Sequence, residues 1–153
     1  MLKTRTFVFA ALGTLVAALL LPVSSVAADA TAQPAAGSSA KHRVIFQVSD
    51  NDPRIWNLAL TNVKNVQDDL GKDNVEVEVV AYGPGLPMLK LESEVSSRIA
   101  DAIGNGVSIV ACENTMTNMK TTRADMLPKL GYVKAGVVEL MEKQSAGWAY
   151  IRP

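Results

Sequence analysis

Three short apolar runs constrain this chain more than any other feature. They are "RVIFQV" (43–48), "NVEVEVVAY" (74–82) and "VSIVAC" (107–112). Each is rich in β-branched residues, and each is followed by turn-forming residues and then a stretch of helical periodicity. The third run is nearly all apolar, as expected of a strand covered on both faces. Strands that alternate with helices imply an α/β fold, with a mostly parallel sheet and helices on both sides.

The intervening segments carry start and stop signals. After the first strand comes "SDNDP", in which Asp52 is suited to cap a helix and Pro53 fits its first turn. Ile55, Leu58, Asn62, Val66 and Leu70 then recur near helical spacing, and Gly71 ends the segment. "GPGLP" (83–87) reads as a loop. Leu91, Val95, Ile99 and Ala102 mark a second helix closed by "GNG" (104–106). "ENTMTNMK" (113–120) reads as a short helix or turn. Thr122 and Asp125 have capping-box spacing before "MLPKLG" (126–131), a short helical piece broken at Pro128. "YVKAG" (132–136) holds a brief strand, Val137, Leu140, Met141 and Gln144 mark a last helix, and "WAYIR" (148–152) a final strand. Glu76 and Glu78 share one strand face and are expected at a solvated strand end.

The chain of 153 residues begins differently. Lys3 and Arg5 precede an apolar run from Phe7 to Leu21, Pro22 breaks it, and "VSSVAADA" offers small residues for cleavage after Ala28. That is the pattern of a secretory signal peptide over 1–28, too short for a comfortable membrane span. Periplasmic export with no stable membrane anchor after cleavage is therefore expected, with an uncleaved N-terminal anchor as the alternative. Residues 29–40, "DATAQPAAGSSA", read as a flexible tether, and 41–153 as one domain with one core. The chain carries 15 basic and 15 acidic residues, with no Lys/Arg-rich block, so nucleic acid is not an expected partner.

Cys112 is the only cysteine, so no disulfide can staple the exported domain. In sheets of this kind, ligands bind beyond the carboxyl ends of the strands. "SDNDP", "YGPGLP" and "CENT" should gather there. A thiol at a strand-to-helix junction meets free N–H groups and a helix dipole, which favour thiolate. Asn114 or Thr115 would cap the following helix and help bind an anion, and Asn51 and Asp52 could line the same mouth. No glycine-rich nucleotide-binding motif is present, and no cofactor is called for. His42 is the only histidine and precedes the first strand, away from any expected pairing with Cys112. Cys112, Met116 and Met119 are soft donors that would suit Cu(I), although methionines at that spacing are usually core.

Three stretches carry a family resemblance: "VSDNDPRIWNLALTNVKN" (48–65), "VACENTM" (110–116) and "DMLPKLGYVKAGVVELMEKQSAGWAYIRP" (125–153). Together they resemble the exported branch of the DsrE/DsrF-like sulfur-relay proteins, over essentially the whole of 41–153. The resemblance implies a three-layer α/β/α domain with a five-stranded parallel sheet, commonly assembled into homo-oligomers. Trp148, Tyr150 and Ile151 are then candidates for a subunit contact or a last core strand. Cytoplasmic relatives carry sulfur as a persulfide on one cysteine near a strand end, and Cys112 falls at the matching place. The resemblance thus implies a periplasmic sulfur carrier whose sulfur donor and acceptor are unspecified. The chain lacks the Arg-Arg-Gly that often follows that cysteine in the cytoplasmic members. The alternative expectation is a non-catalytic ligand-binding or scaffold module with an inert, buried Cys112.

Overall fold

The computed structural model describes residues 41–153; the expected signal peptide (1–28) and tether (29–40) lie outside the described residues. Five parallel strands form one sheet in the order β4-β3-β2-β1-β5. They are β1 (His42–Val48), β2 (Val75–Ala81), β3 (Ser108–Cys112), β4 (Gly131–Val133) and β5 (Ala149–Ile151). The helices are α1 (Pro53–Leu70), α2 (Ser96–Gly104), α3 (Glu113–Asn118) and α4 (Gly136–Ser145). This is the expected three-layer α/β/α arrangement.

The period of two along each strand divides the core. Val44, Phe46, Val48, Val77, Val79, Ala81, Ile109 and Ala111 face the larger cluster, with Trp56, Ala59, Leu60 and Val63 of α1 and Ile99 of α2. Ile45, Val80 and Val110 point the other way and meet Leu140 of α4, with Tyr82, Val133 and Trp148 at the margin. Among the described residues, α4 is the helix that packs on this second face. Burying a side chain such as Phe46, which is fully enclosed, contributes about 1.5–3 kcal/mol.

Several sequence expectations need correction. The buried stripe of α1 is Trp56, Ala59, Leu60 and Val63, while Leu58 and Leu70 are exposed. Trp56 belongs to that buried stripe, and its indole N–H donates to Asp50 O at 2.7 Å. The second helix begins at Ser96 rather than near Leu91, which is exposed, and "GPGLPML" (83–89) winds into a 3-10 helix. There Gly85 lies so close to β1 that a Cβ would stand 2.3 Å from Val48 O. "MLPKLG" is not helical: Met126 bridges Lys90 and the chain then turns into β4. Thr122 and Asp125 do form their capping box, on a 3-10 turn spanning Arg123–Asp125.

Glu76 and Glu78 part company. Glu76 is exposed as expected, but Glu78 lies under α4 and is buried, its carboxylate bonded to Lys143 Nζ at 2.8 Å. The α4 stripe is likewise narrower than its apolar content: Leu140 is buried, whereas Val137, Val138 and Met141 face outward.

Candidate functional site around Cys112

Cys112 is the last residue of β3 and the N-cap of α3, with extended backbone (φ −79, ψ 114). Alternation along β3 turns its side chain toward the α4 face, with Val110. The loop after β4 folds over it there. The first residue of α4, Gly136, donates its N–H to Cys112 Sγ at 3.3 Å, and Sγ lies 3.8 Å from Lys134 O. Lys134 O also accepts from Asn114 N–H at 3.1 Å, tying this loop to the start of α3.

Burial works to raise the Cys112 pKa, but donors outweigh it and the net direction is down. Those donors are the Thr115 hydroxyl, the Gly136 N–H, and the N–H groups of Thr115 and Asn114. Hydrogen bonds to the charged form favour thiolate. The thiol is nevertheless covered: Cys112 is 4 % exposed.

Thr115 does not cap α3, contrary to expectation. It is buried, and its hydroxyl accepts from Gly83 N–H at 2.9 Å, linking the 3-10 segment after β2 to the thiol. Asn114 contributes its backbone, while its side chain is exposed. Asn51 and Asp52 lie beyond β1, two strand positions from β3, and no hydrogen bond joins either to Cys112. Asp52 caps α1 by accepting from Arg54 N–H (2.8 Å), and its bonds to the Arg54 side chain and then to that N–H hold its carboxyl below the usual value. The three soft donors do not converge. Met116 is buried in the larger cluster and Met119 is exposed, whereas Cys112 faces α4. Among the described residues no group of three or more His, Cys, Asp or Glu is placed to hold a metal.

Tyr82 is the residue that sequence reasoning missed. It follows Ala81, which pairs with Ala111, so it stands beside Cys112 one step along the sheet. A Cβ on Gly136 would lie 3.0–3.1 Å from its Cβ, Cγ and Cδ1, so any side chain there would press the Tyr82 ring aside by a few tenths of an ångström. Burial pushes the Tyr82 phenol up. On its far side a polar string runs across β1 and β5. Tyr150 OH donates to Gln47 Oε1 (2.6 Å), Gln47 Nε2 donates to Ser49 Oγ (3.0 Å), and Arg152 donates to Asp50 Oδ2 (3.2 Å). The signal for Tyr82 was its place at the end of a strand, in register with the cysteine.

The fold and site thus define a small parallel α/β domain with one cysteine held between a strand end and a helix start. No protein-family model matches the chain, and no curated protein does. Among solved structures, a protein of unknown function from Methanobacterium thermoautotrophicum is 37% identical, with a TM-score of 0.70. The match covers 73% of this chain and 99% of that one, and the chain belongs to the same family as that protein. A conserved protein of unknown function from Bacteroides thetaiotaomicron is 13% identical with a TM-score of 0.63. That match covers 76% of this chain and 99% of the other, and it shows a shared fold.

Proposed function

We propose that this protein is a single-cysteine carrier of sulfane sulfur, in the manner of the DsrE/DsrF-like proteins its sequence resembles. The observation that carries the reading is the N–H of Gly136 directed at Cys112 Sγ, with Thr115 adding to a lowered thiol pKa. The Cys112 thiolate attacks a sulfane sulfur, and the donor's S–S bond breaks with its electron pair leaving on the rest of the donor. The persulfide Cys112–S–S⁻ remains, and an acceptor thiolate takes its outer sulfur by the reverse exchange. Oxidation state is conserved at each step, so no cofactor is called for. Because the thiol is covered at rest, loading requires the Lys134–Gly136 loop to yield.

Intact mass after incubation with thiosulfate or polysulfide tests this. An adduct of whole sulfur atoms, lost in Cys112→Ser, supports the carrier; no adduct under any sulfur donor removes it. One observation favours a second reading, a scaffold or binding module with an inert cysteine, namely the 4 % exposure of Cys112. Resistance to alkylation until the domain is denatured decides for that reading. The carrier reading includes export with cleavage near Ala28, and periplasmic protein that retains 1–21 would replace cleavage with an uncleaved membrane anchor.

A further inference from the structure

Beneath α4, away from the thiol, lies a buried group with a missing partner. The Glu78 side chain is 6% exposed; its Oε2 accepts from Lys143 Nζ at 2.8 Å, and Oε1 is buried with no hydrogen-bond partner among the described residues. Lys143 also pairs with Glu139 at 3.5 Å, so two carboxylates share one ammonium. A sealed, unpaired carboxylate oxygen is costly, and such a group ordinarily recovers by taking up a proton.

A hollow of about 540 Å³ opens alongside, with Lys143, Trp148 and Ser108 on its walls. Glu78 lines this hollow as well, with its Oε1 enclosed rather than open to it. Among the described residues the other charged groups around Glu78 are bonded elsewhere or exposed. From β1, Arg43 donates to Ala146 O at 2.7 Å and lies over the Trp148 ring. Lys41 pairs with Glu76 at the rim at 3.9 Å, and Lys72 and Asp73 line the outer hollow and are exposed. On α4, Glu142 is exposed; β3 presents only the uncharged Ser108. Lys143 itself sits 4.3 Å from the Trp148 ring centroid, which fixes its ammonium between ring and carboxylates.

We propose that Glu78 and Glu139 share one proton beside Lys143, and that this proton fastens α4 to the sheet in a pH-dependent way. The inference does not rest on the sulfur-carrier reading. Burial first, and then the negative charge and hydrogen bond of Glu139, push the Glu78 carboxyl above its ordinary value of 4.5, against the opposing pull of Lys143. In the unfolded chain that lift is absent. The added stability is therefore complete below the ordinary glutamate value and is lost as pH rises through the raised folded value.

Glu78→Gln supplies a permanent stand-in for the protonated acid, with an amide N–H toward Glu139 and an oxygen toward Lys143. Measured against wild type from pH 4.5 to 8, the Glu78→Gln unfolding equilibrium should gain relative stability with rising pH. The gain is at most about tenfold per pH unit, levelling once Glu78 is ionised. Glu139→Gln should lower the Glu78 midpoint in a carboxyl carbon-13 titration of the folded protein. Amide exchange in α4, corrected for intrinsic rate, should slow as pH falls in wild type but not in Glu78→Gln. A Glu78 carboxyl that titrates at or below the ordinary glutamate value, or parallel stability curves for wild type and Glu78→Gln, overturns the proposal. The titration is made on wild-type protein, so a variant that fails to fold leaves the decision intact.

Discussion

Gly136 N–H points at Cys112 Sγ from 3.3 Å, across 24 residues of sequence. The contact joins the first turn of α4 to the end of β3, and its length depends on how close α4 can begin. That closeness is granted by the missing side chain of Gly136, against which the Tyr82 ring rests.

Gly136→Ala should therefore push Tyr82 and the helix start apart. A cost of about 1–3 kcal/mol is expected for a methyl forced into a filled site. The thiol pKa should rise at the same time, because one donor withdraws. Denaturant unfolding and the pH profile of alkylation check the two parts separately.

In the folded protein the Cys112 thiol should ionise below the free value of about 8.5. A lowered folded pKa adds stability that is present above the free value and lost as pH falls through the folded one. The midpoint is read from the ultraviolet absorbance of thiolate, with Cys112→Ser as the blank. A midpoint at or above the free value contradicts the hydrogen-bond account.

Thr115→Val should leave Gly83 N–H without its 2.9 Å acceptor in a part-buried place. The loss of that partner is expected to cost about 1–3 kcal/mol. The Cys112 midpoint should rise as well, since the hydroxyl is the leading donor that lowers it. Valine keeps the shape, so a stability loss without a change in the thiol would confine the role of Thr115 to its hydrogen bond with Gly83.

Asp52→Ala is the contrasting case. Its carboxylate caps α1 and pairs with Arg54, so the domain should lose stability while the Cys112 alkylation rate stays unchanged. A slowed alkylation would return Asp52 to the mouth of the site.

The family resemblance implies homo-oligomers, and the exposed Val137, Val138 and Met141 of α4 would be their apolar contact face. Light scattering at micromolar concentration should report a multimer that Met141→Lys disperses. A monomer in wild type removes the oligomer while leaving the fold untouched.

Strand identity was legible in the sequence because it is a local property. A run such as "VSIVAC" has few ways to bury itself other than as a covered strand, and Asp52-Pro53 marks a helix start whatever surrounds it. The position of Cys112 at a strand end followed from the same local pattern. The rotation of α1 did not, because Leu58 and Trp56 are both apolar, and only packing against the sheet buries the stripe of Trp56, Ala59, Leu60 and Val63. Nor did the fate of Glu78: alternation put it on the same face as Glu76, and only α4, arriving some sixty residues later, buries one and leaves the other in water. The donors around the thiol come from α3 and the start of α4, so sheet order and register had to exist before Thr115 and Gly136 could meet it, with Tyr82 packed against Gly136. Sequence periodicity specifies which side of an element is apolar; which charges and donors meet across elements is decided by packing, where the separation along the chain carries no information.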